Sequence, residues 1–198
     1  LGESIVSVGV GASEAPIAWP LIAGAVLGIV LTAGMWWAYF DVTALAAERR
    51  LSEAEGVERA ALARDSYTYL HLPMVAGVVL AALGLKKVLG YVAGEKGHDW
   101  GDALHGLPVW SLHLGPALYL LSLVLFRLRN VHSVSRSRAL ALVALVATAP
   151  AGEHVGALVD LLLVTGILAA LIAWEVVRYA ETRHRIRHAD HHAGGGER

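Results

Sequence analysis

Four ionisable residues lie inside apolar stretches of the chain: Glu3, His71, His113 and Asp160. A charge inside such a stretch costs about 2.5–3.5 kcal/mol to insert into a bilayer, so it is retained where it pairs, binds or moves ions. A carboxyl so placed is either protonated or paired, and histidine is the side chain that changes protonation near neutral pH. At ~1.5 Å per helical residue, Glu3 falls roughly 12 Å from the outer end of its helix and His113 near mid-depth of its own. The two therefore stand at similar heights and are candidates to pair. His71 falls roughly 9 Å in from the inner side, and Asp160 roughly 8 Å in from the outer side. Together the four form a candidate ladder of titratable groups, as in a proton relay. The competing expectation is that each hydrogen-bonds a neighbouring helix and fixes packing.

A second group marks where charge meets apolar helix. Asp41 and the pair Arg64–Asp65 stand at the two ends of one helical hairpin, which suits an interfacial ion pair. Pro73, two residues after His71, leaves a backbone carbonyl one turn earlier without its helical donor. Trp36 and Trp37 suit interface anchors. Glu175 and Arg178, three residues apart, are spaced for an edge pair. The absence of cysteine excludes disulfides, thiolate nucleophiles and cysteine metal sites. The histidines at 184, 188, 191 and 192 read as a solvated tail and not as a metal site, and no catalytic motif is present. No catalytic residue, metal or cofactor is assigned.

The elements that must position these groups are membrane helices. Of 198 residues, 56% are hydrophobic and 17% charged, below the ~25% charged of soluble domains. The apolar residues fall in long runs cut by short charged segments. The expected fold is all-α: a polytopic helical membrane protein with about five full or near-full transmembrane helices plus the end of one truncated at the N-terminus. Spans are expected at 1–13, 17–41, 66–90, 103–126, 137–150 and 154–177, in a bundle over 1–180. Residues 42–65 read as a charged cytoplasmic helix, with Ser52-x-x-Glu55 as a capping box. Pro108 and Pro116 are expected to break the 103–126 span, and Pro150 and Gly152 to form a turn. Gly24-x-x-x-Gly28 has helix-packing spacing. Residues 181–198 read as a flexible His-rich cytoplasmic tail. The chain opens inside an apolar run, so it is expected to be part of a longer protein whose N-terminal spans are missing.

Orientation follows from the basic residues. Alternating the spans puts thirteen of the sixteen lysines and arginines on one side and Lys86, Lys87 and Lys96 on the other. The expected location is the bacterial cytoplasmic (inner) membrane with the C-terminus cytoplasmic. The net charge of −1 gives no basic field for nucleic acid. The expected partners are the lipid bilayer, the missing N-terminal spans and a second copy in an oligomer.

Three motifs carry a family resemblance: Leu1-Gly2-Glu3-Ser4-Ile5-Val6, Trp36-Trp37-Ala38-Tyr39-Phe40-Asp41, and the stretch from Arg64-Asp65-Ser66-Tyr67 through His71-Leu72-Pro73 to Gly77. In order and spacing the chain resembles the C-terminal part of the bacterial low temperature requirement A family. The resemblance implies a multi-spanning membrane protein and brings no established substrate or reaction. It supports Glu3, Asp41, Arg64, Asp65 and His71 as motif positions without assigning them roles.

Three functions remain open from the sequence. The first is proton- or ion-linked transport, resting on the intramembrane Glu, His and Asp residues. The second is a non-transporting protein of envelope adaptation or sensing. The weakest is an enzyme acting on lipid through Asp41, Arg64, Asp65 and His71, so a role other than enzyme is favoured.

Overall fold

The computed structural model describes residues 18–40 and 43–178, preceded by the isolated helical positions Gly2 and Val6. The elements are α1 (Trp19–Phe40), α2 (Thr43–Glu53), α3 (Gly56–Arg64), a π-turn (Asp65–Tyr69), α4 (His71–Val92), a 3-10 turn (Glu95–Gly97), α5 (Leu107–Val131), α6 (Arg136–Gly152) and α7 (Ala157–Arg178). Among the described residues the only β pairing is an isolated bridge between Ala103 and Gly156. The molecule is an all-α polytopic membrane protein. Among the described residues four helical runs are long and apolar enough to cross a bilayer: α1, the continuous run Gly56–Val92, α5 and α7. Helix is the structure such segments must take, because hydrocarbon offers no partner to an open backbone group.

Helix α1 turns β-branched aliphatics outward, and its small residues share the buried face with Leu21, Leu31 and Met35. On α1, Ile22, Val26 and Ile29 are exposed, while Gly24, Gly28, Thr32 and Ala38 are buried. Exposed aliphatics and buried small residues are expected where lipid is as apolar as leucine and close backbone approach drives association. The expected packing role of Gly24 and Gly28 fits, with Gly24 against Leu89 and Leu158.

The tightest pair is α4 with α5, and α5 is the most enclosed of the long helices. A Cβ on Gly77 would stand 2.7 Å from both the Gly115 carbonyl and the Tyr119 amide, and one on Gly84 would stand 2.5 Å from the Leu112 amide. These neighbours are backbone and cannot swing aside. The two helices therefore lie backbone to backbone, and side chains from α5 project to α6 and α7 on its other sides.

Several boundaries differ from the sequence expectation. The charged segment 42–65 is two helices, and the second runs through the π-turn into α4 as one 37-residue run. The Ser52–Glu55 capping box is not formed. Helix α2 continues past Ser52, whose hydroxyl donates to the Arg49 carbonyl at 2.8 Å, and Glu55 caps α3 without a side-chain hydrogen bond. An Arg50–Glu58 ion pair ties α2 to α3 instead. Pro108 does not break its span: it lies in the first turn of α5, where the missing amide has no helical acceptor to lose. Pro116 lies inside α5, which runs on to Val131 and carries Arg127 and Arg129 within it. Pro150 and Gly152 belong to α6 and not to a turn. At 17 residues, or roughly 25 Å, α6 extends from Arg138, beside the last turn of α7, to Gly152, beside the first. The expectations for residues 1–13, Asp41 and the tail 181–198 lie outside the described residues, Gly2 and Val6 excepted.

The connection from α4 to α5 closes one end of the bundle. The Ala157 amide donates to the Asp102 carbonyl at 2.8 Å, beside the Ala103–Gly156 bridge. Trp100 of this loop meets Trp19 edge-on at 5.2 Å. At the other end Trp36, Trp37 and Phe40 face outward, with Trp36 stacked on Phe40.

Two glycines separate packing from propensity. Gly84→Ala is expected to destabilise the detergent-solubilised protein by about 1–3 kcal/mol, because its Cβ meets backbone. Gly166→Ala, with no neighbour within 4 Å of the added Cβ, is expected to leave the melting temperature unchanged or raise it. Thermal unfolding of the two variants checks both outcomes.

Candidate functional site

The deepest polar site joins α5, α6 and α7. His113 sits two turns into α5 and Asp160 in the first turn of α7. Nε2 of His113 lies 2.8 Å from Oδ1 of Asp160, and both side chains are 0% exposed. On the other side of the ring, Nδ1 lies 3.0 Å from the Leu145 carbonyl of α6. Thr148 is 3.4 Å from the same nitrogen, and its hydroxyl is spent on the Ala144 carbonyl at 2.7 Å.

The chemistry of this arrangement is narrow. A carbonyl only accepts, so Nδ1 carries a hydrogen and donates it to Leu145. One further proton lies between Nε2 and Oδ1. On the ring it makes an imidazolium–carboxylate pair; on Asp160 it makes a neutral imidazole and a carboxylic acid. The net charge of the pair is zero either way. Against the other carboxyl oxygen stands Gly152, where a Cβ would come within 2.8 Å. Oδ2 has no hydrogen-bond partner among the described residues.

The second site lies at the opposite end, where His71 opens α4. Pro73 supplies no amide to the carbonyl of Tyr69, and the backbone ahead of it widens into the π-turn, where the Leu70 amide reaches back five residues to the Asp65 carbonyl at 3.0 Å. The Ser66 carbonyl accepts the Nδ1–H of His71 at 2.9 Å. Nε2 lies 3.1 Å from the Tyr39 hydroxyl of α1, so a neutral ring accepts that O–H. Tyr67 lies parallel to the ring at 5.7 Å, and Tyr39 and Phe126 meet it edge-on. His71 thus links α1 to the start of α4 with both nitrogens engaged. Wide turns of this kind recur at functional positions.

The boundary pair Arg64–Asp65 is formed at 3.0 Å, and Arg129 of α5 joins the same carboxylate at 3.2 Å. Beside it Asn130 donates to the Ser66 hydroxyl at 2.9 Å.

A third site was missed by the sequence. Arg138 of α6 grips Glu175 of α7 with two hydrogen bonds of 3.0 Å, and its Nη1 donates to Thr43 of α2 at 2.8 Å. Ser135 and Ser137 reach Oε1 of Glu175. Both charged side chains are under 10% exposed. Glu175 was read with its neighbour in sequence, Arg178. The usable signal was that each charge stands in the terminal turn of an apolar helix, on either side of one hairpin.

The three described ladder residues do not gather in one place. Glu3 lies outside the described residues, and His113 is joined to Asp160. Thirteen residues of α5, roughly 20 Å, separate His113 from Phe126 at the His71 site. Leu120, Leu123, Val164 and Leu168 are buried between these levels, where Tyr119 also donates to the Met35 carbonyl. Among the described residues no group of three or more His, Asp or Glu could hold a metal.

Removing one member of a buried ion pair strands the other. Arg138→Met is expected to cost about 3–5 kcal/mol, and Arg138→Met with Glu175→Leu clearly less than the sum of the single changes. Chemical denaturation of the four proteins of this cycle in detergent provides the check.

The family model described as bacterial low temperature requirement A protein matches residues 1–173. Comparison with curated proteins and with solved structures gives no match.

Proposed function

The chain belongs to the bacterial low temperature requirement A family, and from that premise we propose that it is a proton- or ion-linked membrane transport protein. The observation that carries this proposal is the His113–Asp160 pair, fully buried within an apolar helical bundle. A pair of this kind binds or releases a small cation without changing the packing of large side chains, and intramembrane carboxylate–histidine pairs serve proton relays. Its place at the junction of three helices means that a change in its protonation acts on α5, α6 and α7 together.

We place the protein in the bacterial cytoplasmic (inner) membrane with the C-terminus cytoplasmic. Support comes from the thirteen arginines that the alternating spans assign to one side, against three lysines on the other. In this arrangement α6 is a crossing, the α2–α3 segment is cytoplasmic and the Trp100 loop lies outside. The surrounding partners are the bilayer lipids, further N-terminal spans of the same protein and, in an oligomer, a second copy.

The test is flux in liposomes loaded with a pH-sensitive dye and carrying the full-length protein. The wild type is expected to dissipate an imposed pH gradient faster than empty liposomes. Asp160→Asn and His113→Gln are each expected to slow this at least about tenfold, a barrier change of ~1.4 kcal/mol. Flux equal to that of empty liposomes under every ion gradient tried would remove the transport function and leave a role in envelope adaptation or sensing.

A further inference from the structure

We infer that the buried pair holds its proton on the carboxyl: Asp160 is a neutral carboxylic acid donating to Nε2 of a neutral His113, and the pair is a proton-binding site. The use of this site in transport rests on the function proposed above, whereas the protonation state rests on geometry alone.

The first observation is the acceptor on each side of the ring. Leu145 fixes a hydrogen on Nδ1, so the two forms differ only in where one proton sits between Nε2 and Oδ1. The second is the poverty of the carboxyl's surroundings. An ionised carboxylate has about four lone-pair sites to satisfy. Here Oδ1 has His113, and Oδ2 faces Gly152 with no partner among the described residues. An anionic oxygen buried without a hydrogen bond is unfavourable in this setting; the carbonyl oxygen of a neutral acid is far less so.

The same chain supplies the contrast. Glu175 faces a guanidinium that stays charged, and it receives Nε and Nη2 of Arg138 together with the Ser135 and Ser137 hydroxyls. That is how this protein solvates a buried carboxylate, and Asp160 receives none of it. Among the described residues no lysine or arginine is paired with Asp160. From α6 come the Leu145 carbonyl, Thr148 and Gly152, and from α5 Val109. The nearby ionisable groups of the connecting segments are Asp102, His105, Glu153 and His154, and Glu153 is directed to the Gly106 amide. The N-terminal turn of α7 favours negative charge at Asp160, but a dipole supplies no hydrogen bond to Oδ2.

Proton release then leaves a carboxylate against Gly152, so it requires water at Asp160. The nearer surface is the Trp100 end, because Asp160 lies in the first turn of α7. The turn ahead of α7, tied to the α4–α5 connection by the Asp102–Ala157 hydrogen bond, lies at that end.

Infrared spectroscopy of the full-length protein in membranes at neutral pH reads the proton directly. A carbonyl stretch of a protonated aspartic acid is expected, moving to lower frequency when aspartate is labelled with 13C at the side-chain carboxyl. Asp160→Asn is expected to abolish that band, and His113→Gln to shift it because the acid changes partner. If Asp160→Asn does not fold, the labelled wild type and His113→Gln still decide the matter. Only ionised aspartate bands in the wild type, or a protonated band that neither variant alters, would overturn the assignment. A band without flux would remove transport and leave the proton site, and flux without the band would do the reverse.

Discussion

Hydrocarbon holds no water to solvate a polar group, so each one carried into it must find its partner within the protein. Most of what is specific in this structure follows from that constraint. His113 links three helices because its ring has acceptors on both sides, one on α6 and one on α7. Arg138 links α2, α6 and α7 because its guanidinium spends hydrogen bonds on Thr43 and Glu175. Tyr119 crosses to the backbone of α1 to donate to Met35. These three residues fix the register of helices whose apolar surfaces would otherwise slide.

The α6–α7 hairpin is held at both ends by pairs of opposite character. Arginine does not give up its proton in a protein, so the Arg138–Glu175 pair is ionic and comes with enough donors to satisfy its carboxylate. The His113–Asp160 pair has one donor hydrogen between two atoms that can each hold it. One is built to stay as it is, and the other can change its protonation state. Their separation, fifteen residues along α7 or roughly 22 Å, puts them at opposite ends of a common helix pair.

Close backbone packing makes this possible. Gly77 and Gly84 bring α4 against α5 without side chains between them, and α5 then presents His113 and Ser111 inward. Gly152 does the same locally, giving Asp160 room at the end of α6. A side chain at any of these positions would move the polar partners out of hydrogen-bonding range, so the small residues position the site although they carry no chemistry.

Much of the fold was legible in the chain itself. Apolar run length, charge at the run ends and the uneven spread of lysine and arginine are local quantities, and they determined an all-α membrane protein and its broad order of helices. The intramembrane positions of His71, His113 and Asp160 were visible for the same reason. Boundaries failed where a residue's role depends on what lies next to it in space or on where a helix already begins: Pro108 starts α5, and Ser52 falls inside α2. Apart from the adjacent Arg64–Asp65 pair, partners were not legible. Depth along a helix gives height but not the direction a side chain faces, so height alone matched His113 with Glu3, whereas the described structure turns His113 toward Asp160. Likewise Glu175 was matched to its neighbour in sequence while Arg138 reaches it from 37 residues away. By itself the sequence determined which residues must be solvated inside the membrane, because insertion cost depends on residue type and depth. Only the tertiary structure decided which groups solvate them, because helix rotation and crossing are set by packing contacts distant in sequence.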